Sequence, residues 1–296
     1  MLISFLAAIF AAGVLCLAYG VFIERRAYRL VRRPRLPILP VSSPGTLTIL
    51  HLSDLHFVRG DGKKVRFVAG LPEADVTVVT GDFLAEPEAV ETAVAAVRTA
   101  RGRLASFFVL GSNDIYVPAP LNPLRYFFRG RKKRAGQRGR AQELISQLVA
   151  DGWTPLMNER LEVMFGSVAV EVVGLNDPHI GRHDMRVAPR QAPDRFGLAI
   201  AHAPEPAPEL VALGYDLVVA GHTHGGQVRA PWGALVNNST LPLAITSGLF
   251  RMGPGYLHIS QGLGTSKYAP FRFLCRPQVE LLELGPKPSS APVVRR

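Results

Sequence analysis

Cysteine is nearly absent from this chain. Its 296 residues include only Cys16 and Cys275, and two thiols cannot form the disulfide framework of a small secreted protein. Because Cys16 lies in an apolar run and Cys275 lies near the C-terminus, we expect both thiols to be free. Hydrophobic residues make up 48% of the chain, which is enough for one large domain whose core needs no cross-links.

Acidic residues are absent from two segments, and these segments carry the positive charge of the chain. The formal net charge is +11, from 34 Lys and Arg against 23 Asp and Glu. Residues 25–35 contain six arginines and residues 125–140 contain eight basic residues, with no acid in either segment. The rest of the chain has 20 basic residues against 23 acidic ones. The basicity is therefore local and is not a property of the whole domain.

Charged residues are also absent between Leu2 and Ile23. As a helix this run is long enough to cross a hydrocarbon core of about 30 Å. No basic residue precedes it, which disfavours a cleaved signal peptide, whereas the arginines of residues 25–35 follow it. The positive-inside rule then predicts a single-pass anchor over residues 1–24 in the cell membrane, with the following domain in the cytoplasm. An uncleaved export signal with the domain outside is the alternative.

Four prolines (Pro34, Pro37, Pro40 and Pro44) follow the basic flank. Proline at this density blocks a helix and holds the chain extended, so we predict a basic, stiff linker over residues 25–45. The domain is expected to cover residues 46–285, and residues 286–296 are expected to form a flexible tail.

Short apolar runs rich in β-branched residues indicate the buried strands of an α/β domain. They are 46–50, 75–80, 106–110, 196–201 and 216–220. The apolar spacing predicts helices over 86–101, 141–150 and 205–212. Alternation of apolar residues predicts a further strand over 167–174.

Each of the five strand-like runs is followed by residues of the types that bind metal ions. They are Asp54, His56, Asp82, Asn113, His202, His222 and His224. Loops at the carboxyl ends of strands are where open α/β sheets bind ligands. Seven oxygen and nitrogen donors at one edge suit two divalent metal ions. The mixture of imidazole and carboxylate favours Mn²⁺, Fe²⁺ or Zn²⁺ over Ca²⁺.

The order of these motifs resembles the calcineurin-like metallophosphoesterase superfamily. The motifs are Asp-x-His, Gly-Asp, an Asn after a Gly turn, a lone His, and Gly-His-x-His, within residues 46–285. GHTHGGQ at 221–227 and the segment GLGTSKYAPFRFLCRPQVELLEL resemble its YkuE-like, membrane-associated branch. The resemblance implies a two-sheet αββα sandwich. It also implies hydrolysis of a phosphate monoester, diester or pyrophosphate by metal-activated hydroxide, with no covalent enzyme intermediate.

The resemblance also assigns roles to the seven residues. Asp54, His56 and His224 would hold the first ion, and Asp82 would bridge the two ions. His202, His222 and an asparagine oxygen would complete the second. We expect Asp82, Asn113 and His222 to be the catalytic residues among them.

The third motif departs from the family pattern Gly-Asn-His-Asp/Glu, because this chain has Gly111-Ser112-Asn113-Asp114. Aligned column by column, Ser112 replaces the ligand and Asn113 replaces the histidine that helps to protonate the leaving group. With a shift of one residue, Asn113 keeps the metal, and we prefer this alignment because a neutral serine hydroxyl is a poor ligand. Either way the histidine is absent, which favours diesters or pyrophosphates with acidic leaving groups.

The second basic segment combines aromatic residues with cations, among them Arg125, Arg129, Lys132 and Lys133. We predict that these four side chains bind a phosphate-containing lipid or small molecule at the membrane surface. Nucleic-acid binding and a solvated loop are the other interpretations, and the apolar N-terminal run disfavours nucleic acid. For the whole chain, a nuclease or nucleotide phosphodiesterase and a non-catalytic scaffold are the alternative functions. His51 is expected to be structural and Asn176 to Pro178 to form a turn, while His179 and His183 are secondary candidates for the lining of the pocket.

Overall fold

A computed structural model of the chain describes residues 1–117 and 137–289. The predicted contact residues Arg125, Arg129, Lys132 and Lys133 lie outside the described residues, as does most of the predicted tail. Their proposed role therefore stays a prediction.

Within the described residues, the first sheet has seven strands, and they come from both the N-terminal and the C-terminal parts of the chain. The strands are β1 (Arg29–Arg32), β2 (Leu36–Leu39), β3 (Leu47–Leu52), β4 (Val76–Val79), β5 (Ala105–Phe108), β6 (Thr154–Pro155) and β15 (Gln278–Pro286). Their order is β1-β15-β3-β4-β5-β6, and β2 also pairs with β15. Strands β3 to β6 are parallel, and β15 runs antiparallel to β3.

The second sheet has six strands among the residues described. They are β7 (Glu159–Phe165), β8 (Val168–Leu175), β9 (Phe196–Ala201), β10 (Leu217–Ala220), β13 (Gly248–Met252) and β14 (Gly255–Ile259). Their order is β13-β14-β10-β9-β8-β7, with the central four strands parallel. A separate hairpin consists of β11 (Arg229–Ala230) and β12 (Gly233–Ala234).

The α-helices of the described residues lie at the N-terminus and over the outer faces of the sheets. They are α1 (Leu2–Ala18), α2 (Gly62–Ala69), α3 (Val90–Arg98), α4 (Ser112–Ile115), α5 (Ala141–Ala150) and α6 (Ala207–Ala212). The helix predicted over 141–150 is confirmed over its whole length. Those predicted over 86–101 and 205–212 are confirmed with shorter bounds, and the strand predicted over 167–174 is β8.

The two sheets pack face to face through apolar side chains on their inner surfaces. Ile49 and Val78 of the first sheet belong to one buried cluster with Val172, Leu198 and Val219 of the second. Two further clusters lie on the outer faces, one under α2, α3 and α5 and the other under α6. This arrangement is the predicted αββα sandwich, in which each sheet has one face on the central core and one under helices.

The proline-rich segment differs from the prediction, because part of it is sheet. Strand β1 pairs with residues 278–281, and β2 pairs farther along the same edge of β15. Pro37 lies within β2, and an edge strand tolerates proline because one row of its N–H groups needs no ladder partner. The sheet therefore begins before Thr46, in residues that the sequence assigns to a linker.

The apolar N-terminal helix ends directly on the domain. Helical turns continue from α1 through Glu24–Arg26, and the side chain of Glu24 is buried with 1% exposure. Its carboxylate accepts the backbone N–H groups of Leu274 and Cys275. A Cβ on Gly20 would overlap Phe271, so the glycine permits this close approach. The end of the helix is thus fixed to the loop that precedes β15.

A buried carboxyl group on β15 makes the stability of the fold depend on pH. Glu280 is fully buried and accepts hydrogen bonds from Ser260 Oγ (2.8 Å) and Gln278 Nε2 (2.6 Å). Burial raises the pKa of Glu280 to about 7. Because the unfolded chain ionises this carboxyl at lower pH, stability falls as pH rises from the unfolded pKa to about 7 and stays lower above it.

We therefore expect Glu280→Gln to raise the free energy of unfolding at pH 8.5 by on the order of 1–3 kcal/mol, and by much less at pH 5. Chemical denaturation of the full chain in detergent micelles at both pH values measures this difference. Glu283→Gln on the exposed face of the same strand is the matched control. An equal effect of Glu280→Gln at both pH values would contradict the prediction.

Candidate metal centre

Five of the predicted metal ligands lie in an unusual backbone conformation. Eight non-glycine residues have positive φ angles in the described parts of the chain. The five ligands among them are Asp54 (47°), His56 (42°), Asp82 (53°), His222 (69°) and His224 (51°). This left-handed region costs free energy for residues with a Cβ, and such strain is concentrated at functional sites. Sharp turns after β3, β4 and β10 thus direct these side chains to one edge of the sandwich.

Gly81 allows the second of these turns. Its φ is +89°, and a Cβ there would lie 2.5 Å from Gly111 N and 2.9 Å from His202 Nδ1. The absence of a Cβ therefore lets the backbone at Gly81 approach the site closely. Asp82 follows it and lies between the loops after β5 and β9.

Four of the predicted ligands form one buried cluster. Asp54, His56, Asp82 and His224 each offer a ligand atom, and these atoms lie within 4.8 Å of one another. The Nε2 atoms of His56 and His224 are 3.2 Å apart. His224 Nε2 lies 3.4 Å from Asp54 Oδ1, and His56 Nε2 lies 3.5 Å from Asp82 Oδ2. The distances suit one ion held by two carboxylates and two imidazoles.

The other three predicted ligands form a second group around Asp82. His202 Nε2 is 3.6 Å from Asp82 Oδ2 and 3.2 Å from His222 Nδ1. The side-chain amide of Asn113 hydrogen-bonds to Asp82 Oδ2, and the backbone N–H of Asn113 donates to Asp82 Oδ1 at 2.9 Å. Asp82 therefore belongs to both groups, which is the position of a bridging carboxylate.

An unpaired carboxylate oxygen and two closely spaced imidazole nitrogens support the fit of these residues to a metal ion. Within the described residues, Asp54 Oδ1 is buried and has no hydrogen-bond donor. Two imidazole Nε2 atoms face each other in the same cluster, where a cation between them would satisfy both lone pairs. An unpaired buried carboxylate oxygen costs free energy, and a metal ion removes that cost.

Hydrogen bonds around the cluster fix the orientation of the ligands. Ser53 Oγ donates to Asp54 Oδ2 at 2.6 Å, and the backbone N–H of His222 donates to the same oxygen at 2.9 Å. His202 Nδ1 lies 2.7 Å from the Thr80 carbonyl oxygen. Donation by this nitrogen leaves Nε2 free for a metal, which is the usual tautomer of a metal-bound histidine.

The electrostatics keep His56 and Asp82 in the forms that bind metal, whereas the Asp82 carboxylate, acting against burial, raises the pKa of His202 to about 9. Burial lowers the pKa of His56 to about 4, so this imidazole is neutral near pH 7. Burial opposes ionisation of Asp82, but His202, His56 and the hydrogen bonds from Asn113 hold the pKa of Asp82 below its ordinary value. A neutral imidazole and an ionised carboxylate are the states that coordination requires.

Residues 47–226 match the family described as Calcineurin-like phosphoesterase. The chain belongs to this family. Its members are hydrolases that act on phosphoester bonds with a dinuclear metal centre, and the buried cluster is the corresponding candidate centre of this metallophosphoesterase.

The chain is also similar in sequence to three curated proteins. It is 27% identical over 237 residues to the uncharacterized metallophosphoesterase YkuE of Bacillus subtilis, covering 79% of this chain and 76% of that protein. It is 26% identical over 313 residues to the UDP-2,3-diacylglucosamine pyrophosphatase LpxG of Chlamydia muridarum, covering 93% and 94%. It is 31% identical over 140 residues to the phosphodiesterase YaeI of Escherichia coli, covering 46% and 49%. The YkuE-like resemblance is thereby confirmed.

The third motif of this metallophosphoesterase brings Asn113, and not Ser112, against Asp82. Gly111 is the N-cap of the short helix α4, and Asn113 reaches Asp82 from its first turn. Asp114 is fully buried and accepts the N–H groups of Gly111 and Leu84, both at 3.0 Å. Burial and the nearby Asp82 raise the pKa of Asp114 to about 8. Asp114 therefore supports the loop that carries Asn113.

We expect Asn113→Ala to weaken the affinity for the second metal ion about 10- to 100-fold, because it removes the amide that lies against Asp82. Ser112→Ala should leave both ions in place, since Asn113 occupies the position next to Asp82. Metal content per chain after gel filtration, measured by inductively coupled plasma mass spectrometry, distinguishes the two variants. Loss of the second ion in Ser112→Ala alone would instead give Ser112 the ligand position.

Of the two histidines considered for the lining of the pocket, His179 lies at the metal centre. Its ring centroid is 3.9 Å from that of His222, whereas His183 is exposed. His51 is fully buried between the sheets and contacts His258, with 2.8 Å between the Nδ1 atoms. This position agrees with the structural role expected for His51.

Sequence reasoning missed two residues that shape the centre. The Asn238 carbonyl oxygen lies 3.0 Å from His222 Nε2, and no sequence signal marked this loop. Arg272 is fully buried and donates to the carbonyl oxygens of His224 and Gly264. Its position in the apolar segment PFRFLC was a usable signal, because a lone arginine among buried apolar residues needs acceptors.

Proposed function

We propose that this protein is a membrane-anchored metallophosphoesterase that hydrolyses a diester or pyrophosphate bond of a lipid-linked substrate, with its domain in the cytoplasm. The observation that carries the proposal is the fixed contact between the apolar helix and the loop beside the metal centre. Glu24 at the end of the helix binds the backbone of Leu274 and Cys275. Two residues earlier, Arg272 binds the backbone of His224 in the centre itself.

The helix supports the membrane part of the proposal. Leu2–Arg26 is long and apolar enough to cross a membrane, with a mean hydropathy of 2.4 in its most apolar window. Large side chains along it, such as Phe5, Phe10 and Leu15, are 63–73% exposed. Such a continuous apolar surface is unfavourable in water and favourable in a lipid bilayer. The six arginines after it favour a cytoplasmic domain.

The seven predicted ligands would hold two metal ions. Asp54, His56 and His224 would hold the first ion, His202, His222 and Asn113 the second, and Asp82 both. When bound, such ions supply a water of lowered pKa and offset the negative charge on the phosphoryl oxygens. Ser53 and the backbone of His222 orient Asp54 for this role, and Thr80 orients His202.

The third motif supports an acidic leaving group. The histidine of the family pattern is absent from Gly111-Ser112-Asn113-Asp114 in either alignment, and the amide of Asn113 cannot protonate a departing oxygen at neutral pH. General acid catalysis contributes about 10²–10⁴-fold, so substrates that need it would react slowly. Pyrophosphates and activated diesters need it least. The name of the relative LpxG, a UDP-2,3-diacylglucosamine pyrophosphatase, supports this choice.

The test uses the full chain reconstituted in phospholipid vesicles with Mn²⁺. We expect metal-dependent hydrolysis of diacylglycerol pyrophosphate in the vesicles and of soluble bis-p-nitrophenyl phosphate, with the larger kcat/KM for the lipid. Hydrolysis of the soluble diester alone would contradict the lipid part, and hydrolysis of neither would contradict the enzyme proposal. Digestion of the domain by protease added outside sealed cells would contradict its cytoplasmic side.

A further inference from the structure

A cavity of about 400 Å³ lies between the end of the apolar helix and the metal centre. His56, a predicted ligand of the first ion, forms part of its wall, and Arg25 and Arg26 line it near the helix. Lys64 also lines the cavity, and its Nζ donates to the carbonyl oxygen of His56 at 3.0 Å. A group bound in this cavity would therefore be adjacent to the metal centre and to the membrane end of the helix.

The lining of the cavity is strongly basic. Among the described residues that line it, five are cations and only Asp61 is an acid; the cations are Arg25, Arg26, Lys63, Lys64 and Lys267. Lys64 Nζ pairs with Asp61 at 2.9 Å, and Lys267 Nζ pairs with Glu86 at 3.2 Å. Within the described residues, Arg25, Arg26 and Lys63 have no acidic partner at ion-pairing distance, and Arg25 Nε is buried without an acceptor. These three cations are available for an anionic ligand.

The helix whose end lines the cavity contacts a part of the surface that is typical of a membrane interface. Phe273 contacts Tyr19 of the helix, with 6.4 Å between ring centroids, and its carbonyl oxygen accepts the N–H of Arg229 in the hairpin β11–β12. The tip of this hairpin is Trp232, which is 84% exposed. Leu274, beside Phe273, is 51% exposed. Tryptophan prefers the membrane–water interface, so the helix end and the hairpin tip define one membrane-facing side.

We propose that this cavity is a subsite for a second anionic phosphate of a membrane lipid whose first phosphate lies at the metal centre. The proposal rests on the proposed function and narrows its substrate class to lipids with two phosphates, such as pyrophosphate lipids. Guanidinium groups form paired hydrogen bonds with phosphate oxygens, and Arg25 and Arg26 provide two of them at the level where the apolar helix ends. Lys63 adds a cation from α2 on another side of the cavity.

Binding of non-hydrolysable probes tests the subsite independently of turnover. The full chain, loaded with Mn²⁺ in detergent micelles, is titrated calorimetrically with dodecyl methylenebisphosphonate and with dodecyl phosphonate. We expect the variant Arg26→Gln with Lys63→Gln to bind the bisphosphonate about 10- to 30-fold more weakly than the wild type. Binding of the monophosphonate should stay unchanged. Arg32→Gln with Arg66→Gln removes the same charge from exposed positions outside the cavity and should change neither affinity.

Three results would overturn the proposal: equal weakening in the control variant, equal weakening of both probes, or no weakening at all. Methylenebisphosphonate without an alkyl chain separates a lipid from a free anion. If it binds as tightly as the dodecyl probe, the ligand is not a membrane lipid. Hydrolysis of bis-p-nitrophenyl phosphate by the wild type is measured in parallel. Its absence contradicts the proposed function, while the binding data still decide the subsite.

Discussion

Asp82→Asn is expected to abolish hydrolysis and to release at least one metal ion from the protein. Asp82 is the residue that both groups of ligands share, with His56 Nε2 at 3.5 Å and His202 Nε2 at 3.6 Å from its Oδ2. An asparagine keeps the shape but lacks the charge and the second oxygen that a bridge between two cations needs. Metal ions contribute several kcal/mol of transition-state stabilisation, so kcat should fall by on the order of 10³-fold or more.

Metal content and Mn²⁺-dependent hydrolysis of bis-p-nitrophenyl phosphate measure this effect. Asp151→Asn at the end of α5 is a matched control, because Asp151 pairs with Arg98 far from the centre along the fold. Circular dichroism should show the same fold in both variants, since the backbone carbonyl of Asp82 still accepts the N–H of His56. An Asp82→Asn protein with two ions and normal turnover would exclude a bridging role for this carboxylate.

Gly221→Ala is expected to disrupt the metal centre, because Gly221 lies against Ser53 and the predicted ligand Asp54. A Cβ at this position would overlap Ser53 Oγ and would lie 2.5 Å from Asp54 Oδ2. Ser53 donates to Asp54 and accepts from Thr80 Oγ1 at 2.7 Å, so the substitution pushes apart the hydrogen bonds that orient the first ligand. Overpacking of this kind costs about 1–3 kcal/mol of stability. Loss of the hydrogen bonds that orient a metal ligand lowers metal affinity about 10- to 100-fold.

Unfolding by denaturant and metal titration of the purified chain measure the two parts of this prediction. Gly45→Ala is the control, because a Cβ there meets no atom within 4 Å. A Gly221→Ala protein that binds metal and unfolds like the wild type would show that Ser53 and Asp54 can move without loss. The Ser53–Asp54 hydrogen bond would then have no role in positioning the ligand.

Much of the sandwich and the grouping of the site could be predicted from local patterns. The spacing of apolar residues predicted α5 over 141–150, and the alternation over 167–174 predicted β8, because periodicity depends only on neighbouring residues. The ligands could be predicted because each follows a strand, and the carboxyl ends of parallel strands lie at the same edge of a sheet.

The residues that sequence reasoning misjudged depend on distant partners. The proline-rich segment resembled a linker, but β1 and β2 pair with β15, about 250 residues away along the chain, at a sheet edge that tolerates proline. Glu24 is the last residue of the anchor predicted over residues 1–24, and only the fold shows that its carboxylate binds the backbone of Leu274 and Cys275. The segment PFRFLC indicates that Arg272 needs acceptors, but only the fold shows that they are the carbonyl oxygens of His224 and Gly264.

The sequence by itself determined the layers of the fold, the kinds of metal-binding residues and the membrane-length helix, because periodicity, turn residues and apolar length act locally. Only the tertiary structure decided which donors meet at Asp82, that Asn113 lies against it, and that the helix end adjoins a basic cavity beside His56. These relations depend on loops from both sheets converging at one edge, and contacts between segments so far apart in the chain leave no periodic signal in it.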